Sequence, residues 1–372
     1  MTFSRDQLYL DHAASGRPDP RWKEAWSSFF FDHSYNGETV HEDGVKAKAN
    51  LNRCRADLAK GLGVRPEQLV FTSGGTEGNN TSAHLLAQQF DEPGVIWCST
   101  TTHPSQREPA LALVEKGWQM IDLPTLASGK VDTEGLGELP DPNLLAIEWV
   151  NSEAGFIQNV EELVSLCSKR TGKTRVWVDG VQGYGKLVPP SLKGIDAFVF
   201  SGHKLGAPVG IGGLAISNGL KQSPFLLGGG QQERWRSGTT PIPLVMALHQ
   251  VVQSLPKPLA TLNDVPWPEG LPRLREEKDS YSPFIHLVDT RPVDGEILLH
   301  QLVSEGITVG LGSACRASRK KASPAHQALG LSDHESRQTL RISTSPLSEP
   351  KAVSFALERL KTLLDENRRF FK

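Results

Sequence analysis

Short apolar runs alternate with longer amphipathic stretches through the middle of the chain. Residues 68–72, 94–98, 144–150, 175–178 and 196–200 are runs of aliphatic and aromatic side chains, the pattern of strands buried on both faces. Between them, 77–89, 105–116 and 160–169 read as helices. Strand and helix in alternation predict a mostly parallel sheet covered on both sides. In such sheets ligands sit beyond the carboxyl ends of the strands, beside helix N-termini. The pattern changes near residue 255. The stretches Leu255-Pro-Lys-Pro258 and Pro266-Trp-Pro-Glu-Gly-Leu-Pro272 break regular structure, and 255–282 reads as a connection. Beyond it come a strand (284–288), a helix (294–305), a short strand at Ile307, a helix (323–329), a strand (339–343) and a helix (350–365), which make a small α+β unit. The expected organisation is a large domain over 16–254 and a small one over 283–372, without repeats or low-complexity tracts.

Composition narrows the field. The 372 residues suffice for one large core and a smaller one. A formal net charge of -2 with 22% charged residues excludes a broadly basic nucleic-acid surface and an acidic disordered chain. Four scattered cysteines (Cys54, Cys98, Cys167, Cys315) form no disulfide framework and no C-x-x-C spacing. The N-terminus lacks the apolar stretch of a secretory signal, and no run is long enough to cross a bilayer. A soluble, reduced, cytoplasmic protein is the expectation.

Four polar clusters fall at predicted strand ends. Thr72-Ser-Gly-Gly-Thr-Glu77 follows a strand and opens a helix, so its small residues suit an anion cradle with Thr76 adding a hydroxyl. An ordinary strand-to-helix turn would read the same way. Asp179 ends the apolar run Val176-Trp-Val178, where a carboxylate needs a cationic partner or serves as a helix cap. Ser201, His203 and Lys204 stand at the tip of the next strand, where a lysine can lose its proton and attack a carbonyl carbon, or simply reach to solvent. His103 follows the strand bearing Trp97 and Cys98. Together an imine-forming lysine, a carboxylate, anion donors and a flat ring fit one cofactor, pyridoxal 5'-phosphate. No metal site is implied. Cys315 lies in the small-residue run Gly310-Leu-Gly-Ser-Ala-Cys-Arg-Ala-Ser318, a poor core position and a good one for an exposed thiol nucleophile. The other cysteines sit inside strand or helix patterns and read as small buried hydrophobes.

These stretches resemble the cysteine desulfurase branch of the class V aminotransferases, fold-type I pyridoxal-phosphate enzymes. The matching residues are Leu8-Tyr-Leu-Asp-His-Ala-Ala14, Phe71-Thr-Ser-Gly-Gly-Thr-Glu-Gly-Asn-Asn80, Trp177-Val-Asp-Gly-Val-Gln182, Ser201-Gly-His-Lys204, Arg236-Ser-Gly-Thr239, Gly312-Ser-Ala-Cys315 and Leu340-Arg-Ile-Ser343. The resemblance implies a seven-stranded, mostly parallel sheet between helices, a small C-terminal domain carrying the cysteine loop, and residues 1–15 as an arm packing with that domain. It implies that Lys204 holds the cofactor covalently and moves the substrate's α-proton. Asp179 would pair with the ring nitrogen, His103 stack on the ring, and Gln182 and Ser152 contact the ring oxygen. Gly75, Thr76, Ser201 and His203 would hold the phosphate, with Thr239 reaching the phosphate of a second subunit in a homodimer with shared sites. Arg341, with Asn151 nearby, would bind the substrate carboxylate. Cys315 would take sulfur from L-cysteine as a persulfide, leaving L-alanine, and pass it to an acceptor protein such as those of iron–sulfur cluster assembly. The chain departs from the family's pattern at Ser152, where an asparagine is usual, at His12, in the run Gly228-Gly-Gly-Gln-Gln-Glu-Arg234, and in the short segment 255–283. Alternatives are a related lyase or aminotransferase acting on another amino acid, selenocysteine included, and a non-catalytic relative serving as a binding module. The basic residues Arg316, Arg319, Lys320 and Lys321 form either a solvated loop or a surface that favours the thiolate or docks an acidic acceptor.

Overall fold

A computed structural model describes residues 3–257, 259, 261–274, 280–312 and 321–371. The chain opens on a two-residue strand, β1 (Tyr9–Leu10), followed by helices α1 (Lys23–Asp32) and α2 (Glu42–Gly61). Strand and helix then alternate through β2 (Leu69–Thr72), α3 (Gly75–Ala87), β3 (Val95–Ser99), α4 (Pro104–Val114), β4 (Gln119–Leu123), β5 (Leu144–Glu148), α5 (Val160–Arg170), β6 (Arg175–Asp179), β7 (Ala197–Ser201), β8 (Gly212–Ile216) and α6 (Ile242–Gln253). Seven strands form one sheet in the order β2-β8-β7-β6-β5-β3-β4. Only β8 runs against its neighbours, so the expected mostly parallel seven-stranded sheet is present.

The period of two in these strands feeds two cores. Leu145, Ile147, Val176, Val178, Phe198 and Phe200 pack on the face covered by α2, α5 and α6. Their neighbours Leu144, Ala146, Trp177, Ala197 and Val199 pack on the face covered by α3 and α4. A strand apolar at every position is what burial on both faces requires.

Two strands of this sheet escape the apolar pattern. β4 lies at the edge, and its Gln119 and Asp122 are exposed. β8 begins with Gly212 and Gly213, which read as loop. A Cβ on Gly212 would stand 2.7 Å from Gly74 Cα, and one on Gly213 would stand 2.2 Å from the Phe200 ring. The two glycines therefore let β8 press against β7 and the turn before α3.

The second sheet has the order β1-β10-β11-β9, built from β9 (Ile285–Asp289), β10 (Thr308–Leu311), β11 (Thr339–Ser343) and the N-terminal strand. Strand β1 pairs in parallel with β10, and the other pairings are antiparallel. Helices α7 (Gly295–Ser304) and α10 (Pro350–Arg368) bury Leu298, Leu302, Leu357 and Leu360 against Leu340 and Ile342 of β11. Short helices α8 (Pro324–Ala328) and α9 (Asp333–Arg337) complete this part. Alternation along β11 then turns Arg341 away from that apolar core. Helix α9 is absent from the sequence reading, although Ser332 and Glu335 form a capping box at its start. Among the described residues no helix is long and apolar enough to cross a membrane.

Candidate active site

Because only β8 is reversed, the carboxyl ends of β2, β3, β5, β6 and β7 open on one edge of the large sheet. A cavity of about 360 Å³ lies there, closed on the other side by Ala13, Ala14 and Arg341. It gathers most of the residues singled out from the sequence.

Asp179, the last residue of β6, is 3% exposed. It accepts the amide of Asn79 at 2.7 Å and the Val181 N–H at 3.0 Å. Asn79 is itself fixed, because its carbonyl accepts the Trp177 indole N–H at 2.9 Å. Burial pushes the Asp179 pKa up, opposed by these donors and by His103 and Lys204. His103 caps α4: its Nδ1 accepts the Ser105 N–H at 3.1 Å, with the Ser105 hydroxyl at 2.8 Å. With Nδ1 an acceptor, the neutral ring carries its proton on Nε2. Burial, reinforced by Lys204, lowers its pKa and favours that neutral form.

Lys204 follows β7 on the short turn Gly202–Leu205. Its ammonium donates to the carbonyls of Ala13 at 2.8 Å and Ala14 at 2.7 Å. Gly206 ends this turn at φ 93°, where a Cβ would meet Arg17 O at 2.7 Å, so the N-terminal segment is pressed onto the lysine's turn. Gln182 donates to Ala13 O at 2.8 Å and accepts from Lys186 Nζ at 3.3 Å. Gly75 and Thr76 open α3 without a side-chain cap, which leaves its first N–H groups toward the cavity. Ser201 and His203 stand opposite, with Ser201 Oγ 2.8 Å from His203 Nδ1. Burial and two lysines lower the His203 pKa to about 4, so the ring is neutral near pH 7.

Arg341 is buried. It donates to the Ser152 carbonyl at 2.9 Å and pairs with Asp11 at 2.7 Å, while its Nε has no partner among the described residues. Ser152 itself lines the cavity.

Two expected residues stand outside the cavity, and a third is not among the described residues. Asn151 is buried behind the wall rather than in it. Its amide donates to Thr101 O and Glu148, and its carbonyl accepts the N–H groups of Glu153 and Ala154. Its side chain builds this turn and does not line the cavity. Thr239 is exposed and outside this cavity. Cys315, with Arg316, Arg319 and Lys320, lies outside the described residues. Strand β10, which precedes Cys315 in the sequence, carries Gly310, and this residue pairs in register with Arg341. The remaining cysteines, Cys54, Cys98 and Cys167, are buried, and burial pushes each thiol up to about 11.

The sequence reading missed Glu148 and Lys186. Glu148 closes β5 and lines the cavity, and the lone acid within the apolar run 144–150 was its signal. Lys186 is fully buried four residues after Gln182, and no pattern marked it.

The family model of class-V aminotransferases matches residues 8–260, which include every element of the large sheet. Among curated proteins, the chain is 27% identical to cysteine desulfurase IscS 1 of Archaeoglobus fulgidus, with 97% of each chain covered. It is 28% identical to the cysteine desulfurase of Homo sapiens over 95% of this chain and 80% of that one. Among solved structures, a NifS-like protein superposes with a TM-score of 0.83 at 26% identity, covering 96% of this chain and 99% of the other. The structure titled SspA in complex with cysteine gives 0.79 at 27% identity, covering 92% and 100%. Sheet order, strand-end residues and this match agree: the chain belongs to the class-V aminotransferase family.

Proposed function

We propose that the protein is a pyridoxal-phosphate-dependent cysteine desulfurase, which converts L-cysteine to L-alanine and holds the sulfur as a persulfide on Cys315. The observation that carries this reading is the convergence of Lys204 and Asp179 on one cavity whose third side is the uncapped start of α3. The residues fit the cofactor. A Cβ on Gly75 would stand 2.8 Å from Val181 Cγ2, so a glycine there keeps the turn at the start of α3 uncrowded, as a phosphate cradle requires. Gly75, Thr76, Ser201 and His203 would hold that phosphate. Asp179 would face the ring nitrogen, and His103 would lie on the ring. Gln182, whose carbonyl accepts from Lys186 and whose amide donates one N–H to Ala13 O, would offer its other N–H to the ring oxygen, with Ser152 nearby. When bound, the cofactor supplies the electron sink that acidifies the substrate's α-carbon.

The chain's own residues do the rest. Lys204 is the amine that anchors the cofactor and then carries the α-proton. Arg341 holds the substrate carboxylate; its Nε is a buried donor without a partner among the described residues. The Cys315 thiolate attacks the substrate sulfur. An S–S bond forms, the C–S bond breaks, and its electron pair returns to the carbon, which takes a proton and leaves as alanine. Thr239 would serve the phosphate of a second copy. Exposed apolar residues support such pairing: Phe31 and Val40 near α1, and Leu227 ahead of Thr239.

The test uses purified protein. A visible cofactor band, and equal sulfide and alanine from L-cysteine with reductant, are the expected results. Cys315→Ala should keep the band and lose persulfide. Undiminished desulfuration by that variant would remove Cys315 as acceptor. A band with no sulfide, joined to amino transfer to a keto acid, would favour an aminotransferase.

A further inference from the structure

Glu148 sits beside Asp179. The last residues of β5 and β6 are partners in register on neighbouring parallel strands, about 4.8 Å apart, and both line the cavity. Two ionised carboxylates side by side in a buried wall repel strongly, and one proton relieves them. The surroundings decide which residue takes it. Asp179 faces His103, at the start of α4, and Lys204, after β7, and receives Asn79 Nδ2 at 2.7 Å. Glu148 receives Asn151 Nδ2 at 3.2 Å and the Ser152 backbone N–H, and the charged groups that act on it are Asp179 and Glu153, both acidic, with no cation among the described residues to offset them. The other titratable or charged groups of the wall are His203 and, on β11, Arg341. Arg341 is already engaged with Asp11.

We propose that Glu148 and Asp179 share one proton at the inner wall of the cavity, with the charge on Asp179 and the proton on Glu148. Glu148 is then a positioning residue. It acts through Asp179 by keeping that wall at a single negative charge facing the bound ring. Burial and the neighbouring acids push its pKa well above the ordinary carboxyl range, in the same direction as the geometry. When Glu148 loses its proton on the alkaline side, the wall gains a second negative charge. An anionic occupant such as pyridoxal phosphate should then bind more weakly. That consequence rests on the cofactor reading above, whereas the shared proton itself does not.

The experiment therefore has two arms. On cofactor-free protein, infrared difference spectra of wild type against Glu148→Gln at pH 7 should show one carboxylic-acid C=O band that the variant lacks. Glu148→Met should lack it too and carries the measurement if Glu148→Gln folds poorly. No such band would overturn the proposal even if the cofactor binds. In the second arm, the pyridoxal phosphate Kd is followed against pH. Wild type should weaken by about tenfold on the alkaline side. Glu148→Gln, which mimics the protonated residue, should match wild type at pH 7 within about twofold and stay flat. An alkaline loss unchanged in Glu148→Gln would overturn the assignment. Failure to bind pyridoxal phosphate at any pH, with the infrared band present, would sink the cofactor reading and leave the shared proton standing.

Discussion

The two walls of the cavity are built in different ways. The inner wall comes from strand ends of one sheet that is buried on both faces. Asp179, Glu148, Gln182 and Lys204 all emerge within a few residues of β5, β6 or β7, and Asn79, which holds Asp179, stands on a helix packed against the same sheet. The outer wall is assembled from parts distant in the chain. Arg341 belongs to the small sheet and takes Asp11 from the N-terminal segment and Ser152 O from the large sheet's loops. Residues 11–14 stitch the two walls together. Asp11 pairs with Arg341, and Ala13 O accepts from both Lys204 and Gln182. One wall is fixed by a single sheet packed on both faces, and the other is positioned by a few polar ties between distant segments. The difference teaches where tolerance lies: the groups proposed for the cofactor cannot move independently, while the group proposed for the substrate depends on individual bonds.

The sharpest break of this comparison is within the inner wall. Lys204→Ala leaves the sheet and Asp179 untouched, so the protein should remain folded with unchanged circular dichroism. It should lose covalent cofactor attachment and about 10³-fold or more in alanine formation. An active Lys204→Ala protein would move the chemistry to another amine, and the buried Lys186 is the one to examine.

The outer wall should respond in graded fashion. Arg341→Lys keeps the charge but loses the planar fork, and should cost about 10- to 100-fold in kcat/KM for L-cysteine, mainly through KM. Asp11→Asn keeps Arg341 in place but leaves its charge without a carboxylate in a site that is nearly closed to water. It should raise KM by a smaller factor, about tenfold or less, and destabilise the fold by roughly 3 kcal/mol in denaturant unfolding. If Asp11→Asn changed neither, the tie between the walls would be ornamental and the comparison would fail.

The inner wall was largely legible in the local pattern of the sequence, whereas Arg341 and the N-terminal arm of the outer wall were named only through the family resemblance. Asp179, Ser201 and Lys204 terminate apolar runs, and the strand-end rule pointed to them directly. Gly75 and Thr76 were legible because a phosphate cradle needs small residues at a helix start. Glu148 was overlooked because the run 144–150 was read as wholly buried, and its neighbour in register, Asp179, is visible only once β5 and β6 pair. Asp11 and Arg341 are 330 positions apart, and nothing local to either announces the other. For Asn151 only the three-dimensional bonding shows that its side-chain carbonyl accepts the N–H groups of Glu153 and Ala154 in the turn that follows Ser152. In the fold, β8 stayed hidden because its glycines serve close packing rather than a turn.

The smallest effect expected concerns Lys186, where the rigidity of the inner wall has a stability cost. This lysine is fully buried, and the one hydrogen bond of its side chain among the described residues is to Gln182. Burial, with Lys204 and Arg341 nearby, lowers its pKa to about 7, against about 10.4 in an unfolded chain. Between those values the unfolded state binds more protons, so folding stability should rise with pH from about 7 toward about 10; below about 7 the penalty is at its full, constant value. Lys186→Met removes the buried charge. The cofactor-free variant should be more stable than wild type at pH 7, by roughly 1–4 kcal/mol, and should lose the rise over that window. In the loaded enzyme the same change frees the Gln182 carbonyl to turn toward the cavity, so a shifted cofactor band with a turnover loss of only a few-fold is expected. A variant that is less stable at pH 7 than wild type would mean that the Lys186–Gln182 bond outweighs the desolvation of the charge. The inner wall would then owe its rigidity to that bond as much as to the apolar core behind it.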